Sequence, residues 1–181
     1  YPTNVMGMTK LICENITRKF SEKLNNKKFT IVRFGNVLGS SGSVVPIFEK
    51  QISNNGPITV THPDINRYFM LIHEACSLIL LSAALHENYK NDTATNEKVK
   101  TYILDMGEPV KIIDLANKMI ELSSIDKKNI EIEFTGLKEG EKMQEKLNFD
   151  YENPSKLKEY PVFEINETST SNDFLEMIDL L

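Results

Sequence analysis

The sequence predicts an α/β fold built on a mainly parallel sheet, and three observations carry that prediction. Short β-branched segments alternate with helical periods along most of the chain, the pattern that crossover connections produce. The 181 residues suit one ordinary domain, or one and a half, with room for a real core. Hydrophobic residues at 40% and charged residues at 26% lie near the globular average, which excludes disordered and fibrous classes.

Residues 4–25 are expected to form a helix. Pro2 and the Thr3-Asn4 pair supply its N-terminal signals, and Val5, Ile12, Ile16 and Phe20 recur at helical spacing. Asn25-Asn26 ends it. Phe29 to Phe34 (FTIVRF) is β-branched and aromatic, as a buried strand requires. A Gly- and Ser-rich loop, Gly35 to Ser43, leads into a second helix, Val44 to Asn54, closed by Asn55-Gly56-Pro57. Ile58 to Thr61 and Arg67 to Met70 read as strands around the turn His62-Pro63-Asp64. Glu74 to Glu87 is an apolar helix suited to packing on a sheet. The polar stretch Asn88 to Lys100 has no period and reads as an exposed loop, and Thr101 to Leu104 as a strand. Lys111 to Leu122 is amphipathic, with Ile112, Leu115, Ala116 and Met119 on one face. Ile130 to Phe134 alternates as a half-buried strand, Gly136 to Lys142 is a turn, and Met143 to Leu147 a short helix. The last thirty residues are the least legible, with a segment Pro161 to Ile165 and a terminal helix Asn172 to Leu181.

Several function classes fall away on composition. Lys and Arg total 21 against 26 Asp and Glu, a net charge of −5, which argues against a nucleic-acid surface. The longest nearly unbroken apolar run, Cys76 to Leu85, is well short of the ~18 residues of a membrane helix. No basic region precedes an apolar stretch at the N-terminus, so no secretory signal is read there. Cys13 and Cys76 are far apart, which fits a reducing, cytoplasmic setting and excludes a disulfide scaffold or a zinc finger. His62, His73 and His86 share no ligand spacing, so no metal site is expected. No G-x-S-x-G elbow and no G-x-G-x-x-G after a strand is present. The chain opens on Tyr1-Pro2-Thr3-Asn4, without an initiator Met and already entering a helix, and reads as part of a longer protein.

Four segments can carry chemistry. Lys10 lies one helical turn after Met6 on the same face, although a lysine there is ordinarily a surface residue. The loop Gly35-Asn36-Val37-Leu38-Gly39-Ser40-Ser41-Gly42-Ser43 runs straight into a helix, and exposed backbone N–H groups at such a helix start can hold a diphosphate. It lacks a P-loop ending, and a plain turn explains it equally. Arg67, before Tyr68-Phe69-Met70, suits phosphate recognition or a structural ion pair. Gly136-Leu137-Lys138-Glu139-Gly140-Glu141-Lys142 places a carboxylate where ribose hydroxyls could be bound, or is a charged turn.

The order of these segments is far more specific than any of them. PTNVMGMTK (2–10), RFGNVLGSSGSVVPIFEKQI (33–52), GPITVTHPDINRYFM (56–70), LDMGEPVKIIDLANKMI (104–120) and GLKEGEK (136–142) together resemble the extended short-chain dehydrogenase/reductases. More narrowly, they resemble the polysaccharide-biosynthesis (CapD-like) nucleotide-sugar 4,6-dehydratases. The resemblance covers about residues 1 to 148.

The resemblance implies the C-terminal part of a Rossmann-like fold plus a smaller α/β substrate-binding region. Residues 1–55 would belong to the NAD(P)-binding region, and 56–181 to the UDP-sugar region with an interleaved Rossmann strand near 101–105. It implies a lyase that oxidises the sugar at C4, eliminates water across C5 and C6, and returns the hydride to C6. The expected substrate is UDP-N-acetylglucosamine, and the expected cofactor NAD or NADP. By resemblance, Lys10 is the lysine of a Y-x-x-x-K motif that holds the nicotinamide ribose. Asn36, Ser43 and Val44 match sugar and diphosphate contacts, Arg67 the phosphate-gripping arginine, and Lys138 and Glu141 the uridine-ribose contacts. Two departures stand out: the tyrosine position is Met6, which cannot accept a proton, and the family's Arg-Pro is Lys138-Glu139. The Met6 departure resembles a large, membrane-anchored branch with a cytoplasmic catalytic domain. Without the cofactor half, the chain alone is expected to be inactive. A UDP-sugar 4-epimerase and a non-catalytic UDP-sugar-binding fragment are the competing readings. The helix at 4–25 and an unpaired strand edge at 30–34 further predict a homo-oligomer. Val5, Ile12, Cys13, Ile16, Phe20 and Leu24 share one arc with Met6 and Lys10. Met8 and Leu11 lie outside it, on the face that the resembling enzymes bury in their dimer's helix bundle.

Overall fold

Asn4 starts the first helix: its side chain accepts a hydrogen bond from the Gly7 N–H at 2.8 Å, satisfying one of the orphan donors of the first turn. The structure, a computed structural model, describes residues 2–24, 27–88, 98–123 and 130–166. The element order is α1 (Val5–Lys23), β1 (Phe29–Arg33), β2 (Asn36–Val37), α2 (Val44–Ser53), β3 (Ile58–Val60), β4 (Asn66–Arg67), β5 (Phe69–Met70) and α3 (Ile72–Asn88). It continues with β6 (Val99–Leu104), β7 (Val110–Lys111), α4 (Ile112–Leu122), β8 (Ile132–Phe134), β9 (Asn153–Lys156) and β10 (Val162–Asn166). The chain divides into two compact units, residues 1–34, 76–105 and 147–181 in one and 35–75 and 106–146 in the other.

The first unit is a four-stranded sheet in the order β1-β6-β10-β9. β1 and β6 run parallel, while β10 is antiparallel to both its neighbours. The sheet is therefore mixed rather than mainly parallel. The reason is local: the Leu157 N–H donates to the Val162 carbonyl across a tight turn, and so short a connection joins only antiparallel strands. Alternation along the strands assigns the two faces. Arg33 and Thr101 meet α1 through Glu14 and Arg18, whereas Thr30 meets α3 through His86, Oγ1 to Nδ1 at 3.0 Å. Lys100 and Glu164 form a buried ion pair.

The apolar arc expected on α1 does not face the core. Val5, Met6 and Phe20 are 81%, 71% and 57% exposed, and Ile16 and Leu24 are also exposed. The buried positions are Asn15 and Ser21, because this helix meets its sheet through charged and hydroxyl groups instead of an apolar stripe.

The second unit packs α2 and α4 against β3. Phe48, Ile52, Ile58, Val60, Ile65, Ile112 and Ala116 form its core, with Val44 and Met119 packed on it. The Gln51 side chain locks α2 to β3, donating to Thr59 Oγ1 at 2.7 Å and accepting from the Thr59 N–H at 3.2 Å. Three two-stranded ribbons complete the unit: β2-β5 and β3-β8 are parallel and β4-β7 antiparallel. Gly35 is required where β2 begins, since a Cβ there would lie 2.8 Å from the Tyr68 Cβ.

Two further expectations change. The strand read at 67–70 is split at Tyr68 into β4 and β5, which pair with different partners. Residues 143–147 are not helical. Five residues make a marginal helix, and the Met143 carbonyl is taken by the Asn66 N–H at 3.2 Å. The expected terminal helix at 172–181 and most of the 88–100 loop lie outside the described residues.

Candidate functional site

The second unit gathers six of the residues selected from sequence. Asn36 opens β2 and donates its backbone N–H to the Tyr68 carbonyl at 2.9 Å. The chain then turns twice through left-handed glycines, Gly39 (φ 74°) and Gly42 (φ 73°), and no atom lies within 4 Å of where a Cβ would stand on either. Ser43 follows as the N-cap of the ten-residue α2, with Val44 as its first helical residue. The Ser43 side chain makes no capping bond, and its Oγ is buried without a hydrogen-bond partner. No acidic residue occupies the first turn. An open glycine loop before an uncapped helix N-terminus presents free donors and a positive dipole end, which suits an anion.

Arg67, Lys138 and Glu141 converge on one polar cluster. Arg67 is 12% exposed, and its Nη1 donates to the Asn66 carbonyl at 2.7 Å. Its Nη2 lies 3.6 Å from Glu141 Oε1, and its Nε 3.2 Å from Glu145 Oε1. Glu141 is itself anchored at both oxygens. Oε1 accepts from Thr61 Oγ1 at 3.0 Å, and Oε2 from the Lys138 N–H at 3.0 Å. The turn closes with the Glu141 N–H donating to the Lys138 carbonyl at 3.0 Å. The Lys138 side chain is exposed. The carboxylate of this turn is thus paired with an arginine more than seventy positions away, an arrangement that a structural ion pair and a ligand-binding cluster share.

Met6 and Lys10 belong to the first unit, and both are exposed on α1. Sequence reasoning passed over the strongest ionic constellation there. Arg33 reaches Glu14 with Nε and Nη2, both at 2.7 Å, and Glu152 with Nη1 at 2.7 Å and Nη2 at 3.0 Å. It also lies over the Phe149 ring, 5.2 Å from its centre. Burial works against its charge, but the hydrogen bonds it donates to Glu14 and Glu152 outweigh that and hold the guanidinium above its ordinary pKa. Burial dominates at Arg18, whose pKa is lowered. A charged residue inside a buried strand was the available signal, since such a charge demands a partner. The identity of Glu152, 119 positions away, was not readable.

Among the described residues, no helix is long and apolar enough to cross a membrane. Residues 1–167 match the family model described as polysaccharide biosynthesis protein. The chain belongs to the polysaccharide biosynthesis protein family. It is 50% identical over 146 residues to the probable polysaccharide biosynthesis protein EpsC of Bacillus subtilis, and 47% over 146 residues to the capsular polysaccharide biosynthesis protein CapD of Staphylococcus aureus. Each alignment covers 81% of this chain and 23% of the relative, so the chain spans about a quarter of the length of these proteins. A UDP-glucose 4-epimerase of Rickettsia bellii is 31% identical over 149 residues, covering 81% of this chain and 40% of that enzyme. The kinship therefore reaches enzymes of nucleotide-sugar chemistry. The solved structure of Pen from Bacillus thuringiensis matches with a TM-score of 0.75 at 36% identity, over 94% of this chain and 50% of that one. These matches agree with the α/β fold class and the CapD-like family read from the sequence.

Proposed function

We propose that this chain is the substrate-side part of an NAD- or NADP-dependent nucleotide-sugar 4,6-dehydratase acting on UDP-N-acetylglucosamine. One observation supports the reading: Arg67 and the Lys138–Glu141 turn, from two separate runs of the sequence, meet in the second unit, where Glu141 faces the Arg67 guanidinium and accepts from the Lys138 backbone N–H. In this reading Arg67 holds the diphosphate, the Lys138–Glu141 turn meets the ribose hydroxyls, and Asn36, Ser43 and Val44 line the sugar and diphosphate path. The uncapped start of α2 and the partnerless Ser43 hydroxyl support that last role.

The cofactor fits this chain in one respect. The exposed Lys10 ammonium is a suitable donor to a ribose hydroxyl, and no G-x-G-x-x-G loop for a pyrophosphate occurs in the sequence. When bound, NAD(P) would accept and return the hydride at C4 and C6. The residues of this chain bind and orient the sugar nucleotide. Met6 adds packing and no proton acceptor, since a thioether has nothing to titrate. The family reading also includes homo-oligomerisation through α1 and a membrane-anchored parent with its catalytic part in the cytoplasm.

The kinship with a UDP-glucose 4-epimerase favours a second reading, epimerisation at C4. A protein carrying this chain together with an NAD(P)-binding half, given UDP-N-acetylglucosamine, is followed by NMR. A 4-keto-6-deoxy product supports dehydration, a C4 epimer supports the second reading, and no turnover refutes both.

A further inference from the structure

The two carboxylates around Arg67 are held very differently. Glu141 has a separate hydrogen bond on each oxygen, from Thr61 and from the Lys138 backbone, and its nearest approach to Arg67 is 3.6 Å. Those bonds keep it in place whether or not Arg67 is engaged elsewhere. Glu145 comes nearer, 3.2 Å from the Arg67 Nε, yet its side chain is 37% exposed and it has no other partner among the described residues. It is held by Arg67 alone and already borders water.

A nearly buried guanidinium needs a counter-charge, because an unpaired charge out of water is costly. Glu141 and Glu145 supply it together in this structure, Glu145 at the shorter distance. A diphosphate approaching Arg67 would repel the Glu145 carboxylate and take over its role. Moving Glu145 into solvent costs less than breaking a buried pair, since its carboxylate already borders water and Arg67 keeps Glu141 and gains the diphosphate as counter-charges.

From this asymmetry we infer that Glu145 is a displaceable stand-in for the substrate diphosphate, tuning affinity by competing with it for Arg67. The inference rests on the proposed role of Arg67. Glu141 is the fixed member that aims the guanidinium, and Glu145 is the member that leaves. The arrangement keeps Arg67 neutralised and oriented between turnovers. It also weakens binding of every ligand carrying the diphosphate, products included, and so favours their release.

The test is calorimetric titration of the 181-residue chain, wild type and variants, with UDP, inorganic pyrophosphate and uridine, with melting curves confirming that each variant folds. Glu145→Gln removes the competing charge and keeps the shape. Its UDP and pyrophosphate dissociation constants are expected to fall about two- to fivefold, the equivalent of a partly exposed ion pair, with uridine unchanged. Glu145→Ala should do the same, guarding against an effect peculiar to glutamine. The gain should shrink in high salt, where exposed charges are screened. Unchanged or weaker UDP binding in both Glu145 variants, with binding lost in Arg67→Ala, overturns the stand-in role alone. UDP binding that survives Arg67→Ala, or no UDP binding by the wild-type chain, overturns the assignment of Arg67 and this inference with it.

Discussion

Replacing Arg33 with methionine should destabilise the chain by about 3–5 kcal/mol, the usual cost of breaking a buried ionic cluster by removing one partner. The geometry sets the size. Four charge-assisted bonds of 2.7, 2.7, 2.7 and 3.0 Å disappear together. What remains is two carboxylates on one small site, with Glu152 8% and Glu14 19% exposed and without the guanidinium that bridged them, leaving Arg18 as the nearby cation. Simple addition of four such bonds at ~1.5–3 kcal/mol each would overshoot, because the bonds share one guanidinium and are not independent. The loss is a large part of the ~5–15 kcal/mol that holds a typical domain. Urea unfolding followed by circular dichroism is the assay. With a slope of ~1–3 kcal/mol per molar, the midpoint should fall by roughly 1–5 M. Arg33→Lys should recover little, since a point charge cannot fork onto two carboxylates at once. Adding Glu14→Leu and Glu152→Leu to the Arg33→Met variant should restore only part of the loss, because the two stranded carboxylates go but the buried Arg18, which both of them also face, loses their support. A single-variant loss below ~1 kcal/mol would place the cluster with weak surface pairs and refute the argument.

In an intact enzyme, Arg67→Ala should raise the Michaelis constant for UDP-sugar about 10- to 100-fold, the loss of one charge-assisted contact of ~1.5–3 kcal/mol; an unchanged value would make Arg67 purely structural. Met6→Ala should leave both limbs of the pH–rate profile where they are, and a vanished limb would refute its role as packing. Sedimentation of the chain at micromolar concentration should show a dimer or larger species. The exposed Val5 and Phe20 on α1, and β1 as an edge strand among the described residues, give it two routes to association. Phe20→Glu should weaken that species if the helix is responsible, and a clean monomer at high concentration would exclude both routes.

What was legible in the sequence was whatever local spacing encodes. The Asn4 cap, the FTIVRF strand and the Ile112–Ala116–Met119 face stand close to where periodicity placed them, because each depends on neighbours within a few residues. Antiparallel β10 was missed because the chain shows no pairing partner until a turn has formed. The helix expected at 143–147 failed because its backbone is claimed by β4. The same division runs through the arginines. Both Arg33 and Arg67 sit in strands, and only the family resemblance proposes a phosphate role for Arg67; its residues alone suit a structural ion pair equally. The structure supplies the physical distinction. Arg33 has both faces of its fork filled by carboxylates buried with it, so ligand access would break the fold. Arg67 is turned toward one anchored carboxylate and one that borders solvent, so on the proposed reading an incoming anion would displace only the weaker partner. A cation that can exchange its counter-charge at low cost can bind and release; one that cannot is part of the core.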